Sequence, residues 1–452
     1  MAVTGFLFAI GFIAMMALAL LRHPIWGLYG YIAVFYLHPP SRWWGAFLPD
    51  MRWSLVASAV TLIALLRVKD LSGRPSWLSM TPARILIAFT VWLWIQSFWA
   101  LNPLAHNEAA VLFTKYIVLF YLIYRLVQTG EELRRFMLAH IAGCFYLGWI
   151  AFTSTVSGRL EGVGGPGIDE ANALGMHMGT GAMAGAMIIL VERKWVQWLT
   201  ILAMAFILNT LVLSGSRGSF LSLLCAGMVL LVLKPPQYKR LFYGLAVLGV
   251  ALMLILAPPS FWERMETITA AVDDSQEMDT SAESRFVVLE AQVKMARAYP
   301  FGAGHRGTEA LSTQYIDEKY LAKTPGTQRA RSSHNTFMTT LVEQGIPGAI
   351  MFLWMVGWCV RCVRRLRRYE SPDWGTRERS ELAFVAAGLT IVLIAGLFVD
   401  YLKAEVAIWL LALLAVLQSL AALKASAAVA TQQSQLLAPS PDKRPLSPAR
   451  RS

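Results

Sequence analysis

Charged residues are scarce, only 15% of a 452-residue chain, against roughly 25% in an ordinary soluble domain. With a hydrophobic fraction of 56% and a mean hydropathy of +0.51, that deficit argues against a soluble protein and for many membrane spans rather than one anchor. Cysteine is nearly absent. Of Cys144, Cys225, Cys359 and Cys362, none lies in the long polar stretch of the chain, so no disulfide framework is implied there. Cys359 and Cys362 form a CxxC at the end of an apolar run, where they read as small apolar residues. A Walker loop, an HExxH and a Cys/His cluster are all missing, so neither a cofactor nor a metal is expected. The first apolar run, residues 3–21, lacks a basic n-region and a cleavage site and reads as a retained segment.

What is present is a succession of apolar runs: 3–21, 25–37, 53–66, 85–101, 111–127, 136–156, 171–191, 195–213, 220–233, 241–257, 337–360, 382–399 and 406–423. Some fall short of the roughly 20 residues a span needs. The expectation is an all-α polytopic protein with about 12 transmembrane helices, 13 being possible. The formal charge of +12 sits largely in short loops beside these runs, which topology explains without nucleic acid. Arg67, Lys69, Arg74 and Arg84 mark one side. By alternation Arg134, Arg135, Arg193, Lys194, Lys239, Arg240 and the run from Arg361 to Arg379 share it, which makes that side cytoplasmic.

The segment 258–333 is too long for a simple connection and too polar for lipid. Thr280 and Glu283 have capping-box spacing, and Phe286, Leu289, Val293 and Ala296 follow at helical spacing before Pro300. The chain therefore divides into an N-terminal membrane bundle (1–257), a helical loop subdomain outside the cytoplasm (258–333), C-terminal membrane helices (334–423) and a disordered cytoplasmic tail (424–452).

Several polar residues at the outer side invite chemistry. Ser216 can cap the helix after the 214–219 interruption. That puts Arg217 in the first turn, where backbone donors favour an anion and a cation is otherwise out of place. Arg285 stands at the start of the loop helix; alone, a surface pair with Glu283 or Glu290 accounts for it slightly better than a functional role. Two guanidinium forks facing one compartment suit a pyrophosphate. A serine of Ser332-Ser333 can cap the next helix, placing His334 at its start, where a neutral imidazole is favoured and can accept a proton. Glu343 lies inside an apolar run, a position that usually faces a cavity, and Pro347 is expected to kink that run. Asn335, Arg159, Asn172, His305, Arg306 and Arg331 are weaker candidates. Asp400, Lys403 and Glu405 read as a salt-bridged structural turn. The acidic patch Asp273, Asp274, Glu277 and Asp279 reads as a solvated turn.

In these residues the sequence resembles the O-antigen ligase superfamily of the Wzy-C type. The matching stretches are Leu213 to Phe220 around Arg217, Ser284-Arg285 through Tyr299-Pro300-Phe301-Gly302-Ala303-Gly304, and Ser333-His334-Asn335 through Glu343 to Gly348. The resemblance covers roughly residues 195–360. It implies a GT-C-type, metal-independent, inverting glycosyltransferase of the bacterial inner membrane, working on the periplasmic face. Its donor would be a glycan on undecaprenyl pyrophosphate and its acceptor the lipid A–core hydroxyl, in a membrane-lipid setting. Arg217 and Arg285 match the arginines assigned to pyrophosphate, and His334 the catalytic histidine. The family usually has 12 spans and a cytoplasmic N-terminus, whereas the runs here put ten spans before the large loop and the N-terminus outside. A Wzy-like polymerase or a protein O-oligosaccharyltransferase shares the same motifs. A secondary transporter would require inverted repeats, which the sequence does not display.

Overall fold

Inside a bilayer an apolar segment satisfies its backbone by coiling into a helix, and every regular element among the described residues is helical. The computed structural model describes residues 2–67, 74–154, 160–240, 242–244, 247, 280–321, 330–371 and 374–437. Its α-helices are α1 (Ala2–Leu21), α2 (Ile25–Leu37), α3 (Trp53–Leu65), α4 (Thr81–Gln96), α5 (Pro103–Leu126), α6 (Gly130–Thr153), α7 (Ala171–Val191), α8 (Lys194–Leu213), α9 (Arg217–Leu233), α10 (Thr280–Ala298), α11 (Gly307–Tyr315), α12 (Thr336–Glu343), α13 (Gly345–Arg367), α14 (Thr376–Ala395) and α15 (Glu405–Leu437). Among the described residues seven of these, α1, α5, α6, α7, α8, α13 and α15, are long and apolar enough to cross a membrane. The chain is a multi-pass membrane protein. Seven is fewer than the 12 or so apolar runs because α2, α3, α4 and α9 span only 13, 13, 16 and 17 residues, and because α14, though 20 residues long, opens on Arg377, Glu378, Arg379 and Glu381. The run 241–257 lies almost wholly outside the described residues.

Local chemistry explains the helix starts. Asn102 accepts the Ala105 N–H to open α5, and Thr129 and Glu132 form a reciprocal capping box at α6. Packing then gathers the bundle: α14 lies against α9 and α7, and α15 against α5. Arg134 of α6 meets Glu192 (2.9 Å) and Glu381 of α14 (2.6 Å). Removing either carboxylate would leave buried charge poorly matched.

The apolar run 337–360 is not one kinked helix. It breaks into α12 and α13 at Gln344–Gly345, where Gly345 has φ +69°. Pro347 falls in the first turn of α13, where its missing N–H costs nothing, so it causes no kink. The break is filled by the loop after α10: Ile346 N–H donates to Pro300 O (2.8 Å), Ala303 N–H to Val342 O (2.9 Å) and Gly304 N–H to Glu343 O (2.9 Å). The sequence presents Phe301–Gly304 as a plain turn. In the fold it is a plug that satisfies the groups a broken helix leaves open.

α10 and α11 share a small core of Val288, Ala291, Met295, Leu311 and Ile316 with Val342 of α12. The stripe that announces α10, Phe286, Leu289 and Val293, is exposed, since periodicity marks a helix without choosing between two apolar faces. The side chains of Thr280 and Glu283, and the patch Asp273 to Asp279, lie outside the described residues. α15 runs on to Leu437, where the sequence suggests disorder from 424. The Ala-, Gln- and Leu-rich composition of that stretch favours a helix.

Gly345→Ala tests the break. An added Cβ would stand 2.4 Å from the Phe301 carbonyl carbon, and the left-handed backbone alone costs about 1–3 kcal/mol. The apparent Tm in detergent should fall clearly. Gly11→Ala, whose Cβ meets nothing within 4 Å, should not lower it.

Candidate active site

The site is built on the turn joining α14 to α15, residues 396–404. Two helix starts are seated on it. At α9, Ser216 caps the helix by accepting the Ser219 N–H (3.3 Å), as its sequence suggests. Arg217 is consequently the first helical residue, half-buried. A Cβ on neighbouring Gly218 would stand 3.0 Å from Phe398 Cβ, so this start abuts the turn. The Ser219 hydroxyl is 3.3 Å from Asn172 O, which brings the beginning of α7 alongside.

At α12 the cap is Asn335, not a serine. Its side-chain oxygen accepts the N–H groups of Phe337 (2.9 Å) and Met338 (3.1 Å). The reason is reach: Asn335 occupies the position from which a short acceptor meets the second and third N–H groups, while Ser333 turns back to the Asn335 N–H (3.3 Å). His334 therefore stands just outside the helix, half-buried. The same start is fastened to the turn by Thr336 N–H to Gly396 O (2.7 Å), Thr336 Oγ1 to Val399 O (2.9 Å), Tyr401 N–H to Thr336 Oγ1 (2.8 Å) and Asn335 Nδ2 to Leu397 O (3.3 Å). Arg217 and His334 thus belong to two segments that meet on one turn.

The loop helix joins them through Gln292, which donates to Ser333 Oγ at 2.8 Å. Arg285 lies seven residues earlier on α10, about two turns or 10 Å along the axis. Its side chain lies outside the described residues, as does Arg159. Glu290, weighed as its surface partner, pairs with Lys294 at 2.8 Å. Arg306 is exposed, caps α11 at φ 58° and lies 3.8 Å from Glu309. Arg331 N–H donates to Ser312 Oγ (3.0 Å).

Glu343 is buried at the end of α12 and meets buried His305 (Oε2 to Nδ1, 3.1 Å). Lys403 Nζ lies 2.9 Å from His305 Nε2. An ammonium only donates, so Nε2 accepts and Nδ1–H donates to the carboxylate. The His305 N–H donates to His106 Nδ1 (2.9 Å), and His106 Nε2–H donates to Leu93 O (2.7 Å). The expected salt-bridged turn of Asp400, Lys403 and Glu405 does not form among the described residues. Lys403 reaches His305, while Glu405 accepts from Tyr31 (2.9 Å) and Trp409 (3.2 Å). The Asp400 carboxyl accepts the Leu402 N–H (3.0 Å). Burial, and then the nearby Glu343 carboxylate, push its pKa up to about 6.

The sequence reading finds no Cys/His cluster, but the fold assembles one. His140, Cys144 and His177, all buried, have ligand atoms within 4.8 Å of one another. Their i,i+4 spacing on α6 was a partial signal; His177 arrives from α7. The Tyr36 hydroxyl sits among them, bonded to His140 and 2.6 Å from His177 Nε2. Thr180 donates to His177 O, so it accepts from His140 Nε2. Tyr36 then donates to His140 Nδ1 and accepts from His177 Nε2. These bonds tie the four side chains into one hydrogen-bonded knot. Cys359 and Cys362 are buried free thiols.

An apolar cavity of about 110 Å³ opens beneath Thr336 and Phe337, walled by Phe89, Phe113, Met351, Met355, Val392 and Ile408. That is several times what one water needs, and its walls offer water almost no partners.

Residues 202–353 match the family model described as O-antigen ligase (Wzy-C). No curated protein matches the chain. The matched stretch, a third of the sequence, contains Arg217, Arg285, His305, His334, Asn335 and Glu343, and over it the chain is similar to the O-antigen ligase family.

Proposed function

We propose that the chain transfers a glycan from undecaprenyl pyrophosphate to the lipid A–core hydroxyl at the periplasmic face of the bacterial inner membrane. The family match over residues 202–353 supports a ligase- or polymerase-type glycan transfer in general. The finer reading rests on one observation: the segments bearing Arg217 and His334 meet on the 396–404 turn, directly above an apolar cavity. A polyprenyl donor needs that combination, with polar groups for its diphosphate and a dry slot for its chain.

In the reaction the acceptor oxygen attacks the anomeric carbon while the bond to the pyrophosphate oxygen breaks. The electron pair leaves on the polyprenyl pyrophosphate. Arg217 and Arg285 neutralise the charge growing there through bidentate bonds. His334 takes the acceptor proton from the opposite face of the sugar, so configuration inverts. Two guanidiniums supply the charge that a divalent ion would otherwise bring, so transfer should not need one. Asn335 fixes the position of His334 by capping α12, and Glu343 holds the loop in register. Asn172, Arg306 and Arg159 are auxiliary contacts in this reading. A polymerase or a protein O-oligosaccharyltransferase uses the same donor and leaving group, and only the acceptor separates them.

The test is transfer by purified protein from lipid-linked glycan to lipid A–core, with and without chelator. Arg217→Ala and His334→Ala should each lose about 10²-fold or more in kcat/KM while the protein stays folded. Arg217→Lys should also be poor, because one ammonium cannot replace the fork. Normal transfer by His334→Ala would remove the base assignment. Glycan appearing on protein or on another glycan, and never on lipid A–core, would select the alternative acceptors.

The cavity makes a separate prediction. Val392→Trp, which fills it, should raise the KM for a full-length polyprenyl donor and leave a short-chain analogue almost unaffected. Equal KM changes for both donors would show that the cavity does not hold the chain.

A further inference from the structure

We infer that Lys403 is an oxyanion-binding residue of this site, held there by His305 and Glu343. The inference rests on the glycan-transfer reading above and names a further group that meets the substrate. Lys403 is exposed, yet its ammonium is fixed 2.9 Å from His305 Nε2. The choice of anchor matters. A carboxylate would cancel the charge; a neutral imidazole holds the ammonium by one hydrogen bond and leaves its charge and two N–H donors for another partner. The imidazole is itself held from behind by Glu343, buried at 4% exposure, through Nδ1–H (3.1 Å), and by the bond from its own N–H to His106 (2.9 Å).

The backbone is equally constrained. Tyr116 donates its hydroxyl to Lys403 O (2.5 Å), and Tyr401, two residues earlier, is bonded to Thr336, two residues after His334. Asp400 shares the turn and its charge acts on Lys403 through space, but its carboxylate accepts the Leu402 N–H (3.0 Å) and, among the described residues, makes no direct ion pair with Lys403. A fixed ammonium with two N–H donors still to place therefore stands on the turn that carries the His334 segment. The ligand chemistry it fits is a phosphoryl oxygen. Two sources offer one: the diphosphate of the donor, or an acidic group on the acceptor. His305 and Glu343 are positioning residues, acting through Lys403.

Initial rates of the full-length protein in detergent would be measured with donor and acceptor varied in turn. Lys403→Ala should raise one substrate's KM about tenfold, the value of a charge-assisted hydrogen bond, and Lys403→Arg should restore it. A donor effect, with matching loss of inhibition by inorganic pyrophosphate, identifies the diphosphate; an acceptor effect identifies the acidic acceptor group. His305→Leu should reproduce the KM change, and adding Lys403→Ala to it should worsen nothing, because both remove one contact. A purely structural lysine would lower the folded fraction and apparent kcat and leave both KM values unchanged, and that outcome overturns the assignment. His334→Ala in the same assay separates the two claims. If it is inactive while Lys403→Ala keeps both KM values, only the lysine assignment fails; if it is fully active, the reading of the whole site fails with it.

Discussion

Closing a broken helix with the backbone of a distant loop is the constraint on which this molecule depends. The run from Thr336 to Arg367 cannot stay continuous once Gly345 turns left-handed. The open peptide groups near the bilayer must then find partners, because lipid supplies none. Pro300 to Gly304 supply them through three main-chain bonds, with Gln96 donating to both Phe301 O (2.8 Å) and Glu343 O (3.1 Å). Trp92 and Trp99 add indole bonds to Gln344 O and Gly302 O. A loop helix that would otherwise float is thereby docked, and with it the small α10–α11 core.

From that junction the geometry propagates to the 396–404 turn. The start of α12 is bonded to it four times, the start of α9 abuts it, and His305 reaches it through Lys403. A rigid meeting point suits a reaction in which charge moves from an incoming hydroxyl to a departing phosphate. Fixed donors need no rearrangement as that charge develops. In the proposed transfer the protein's own contribution is positional, since the bond to be broken would arrive already activated on the lipid.

The membrane also explains the polar knot around Tyr36. Isolated polar side chains among lipid-facing helices are expensive, and His140, His177, Thr180 and Tyr36 avoid that cost by completing one another's hydrogen bonds. Rings of Phe35 and Trp409 enclose them. Such a knot fixes the register of α2, α6 and α7, because a slip of one residue would strand several donors at once.

Some of this was written in the chain order alone. Hydropathy established a multi-pass helical protein, because burying apolar length in lipid needs no tertiary detail. Ser216 announced its own cap, since capping is decided within four residues. Local rules went astray where neighbours compete or come from afar. Asn335 displaced the serines as a cap, and the spacing that marked α10 left open which of its faces is buried. Pro347 drew attention from Gly345, whose conformation is selected by a loop more than 40 residues earlier in sequence. The pairing of Lys403 with His305, and of His140 with His177, joins residues that no spacing relates. Sequence determined which segments enter the membrane; only the tertiary structure decided which polar groups meet there, because a hydrogen bond is fixed by position within a few tenths of an ångström and hydrophobic burial is not.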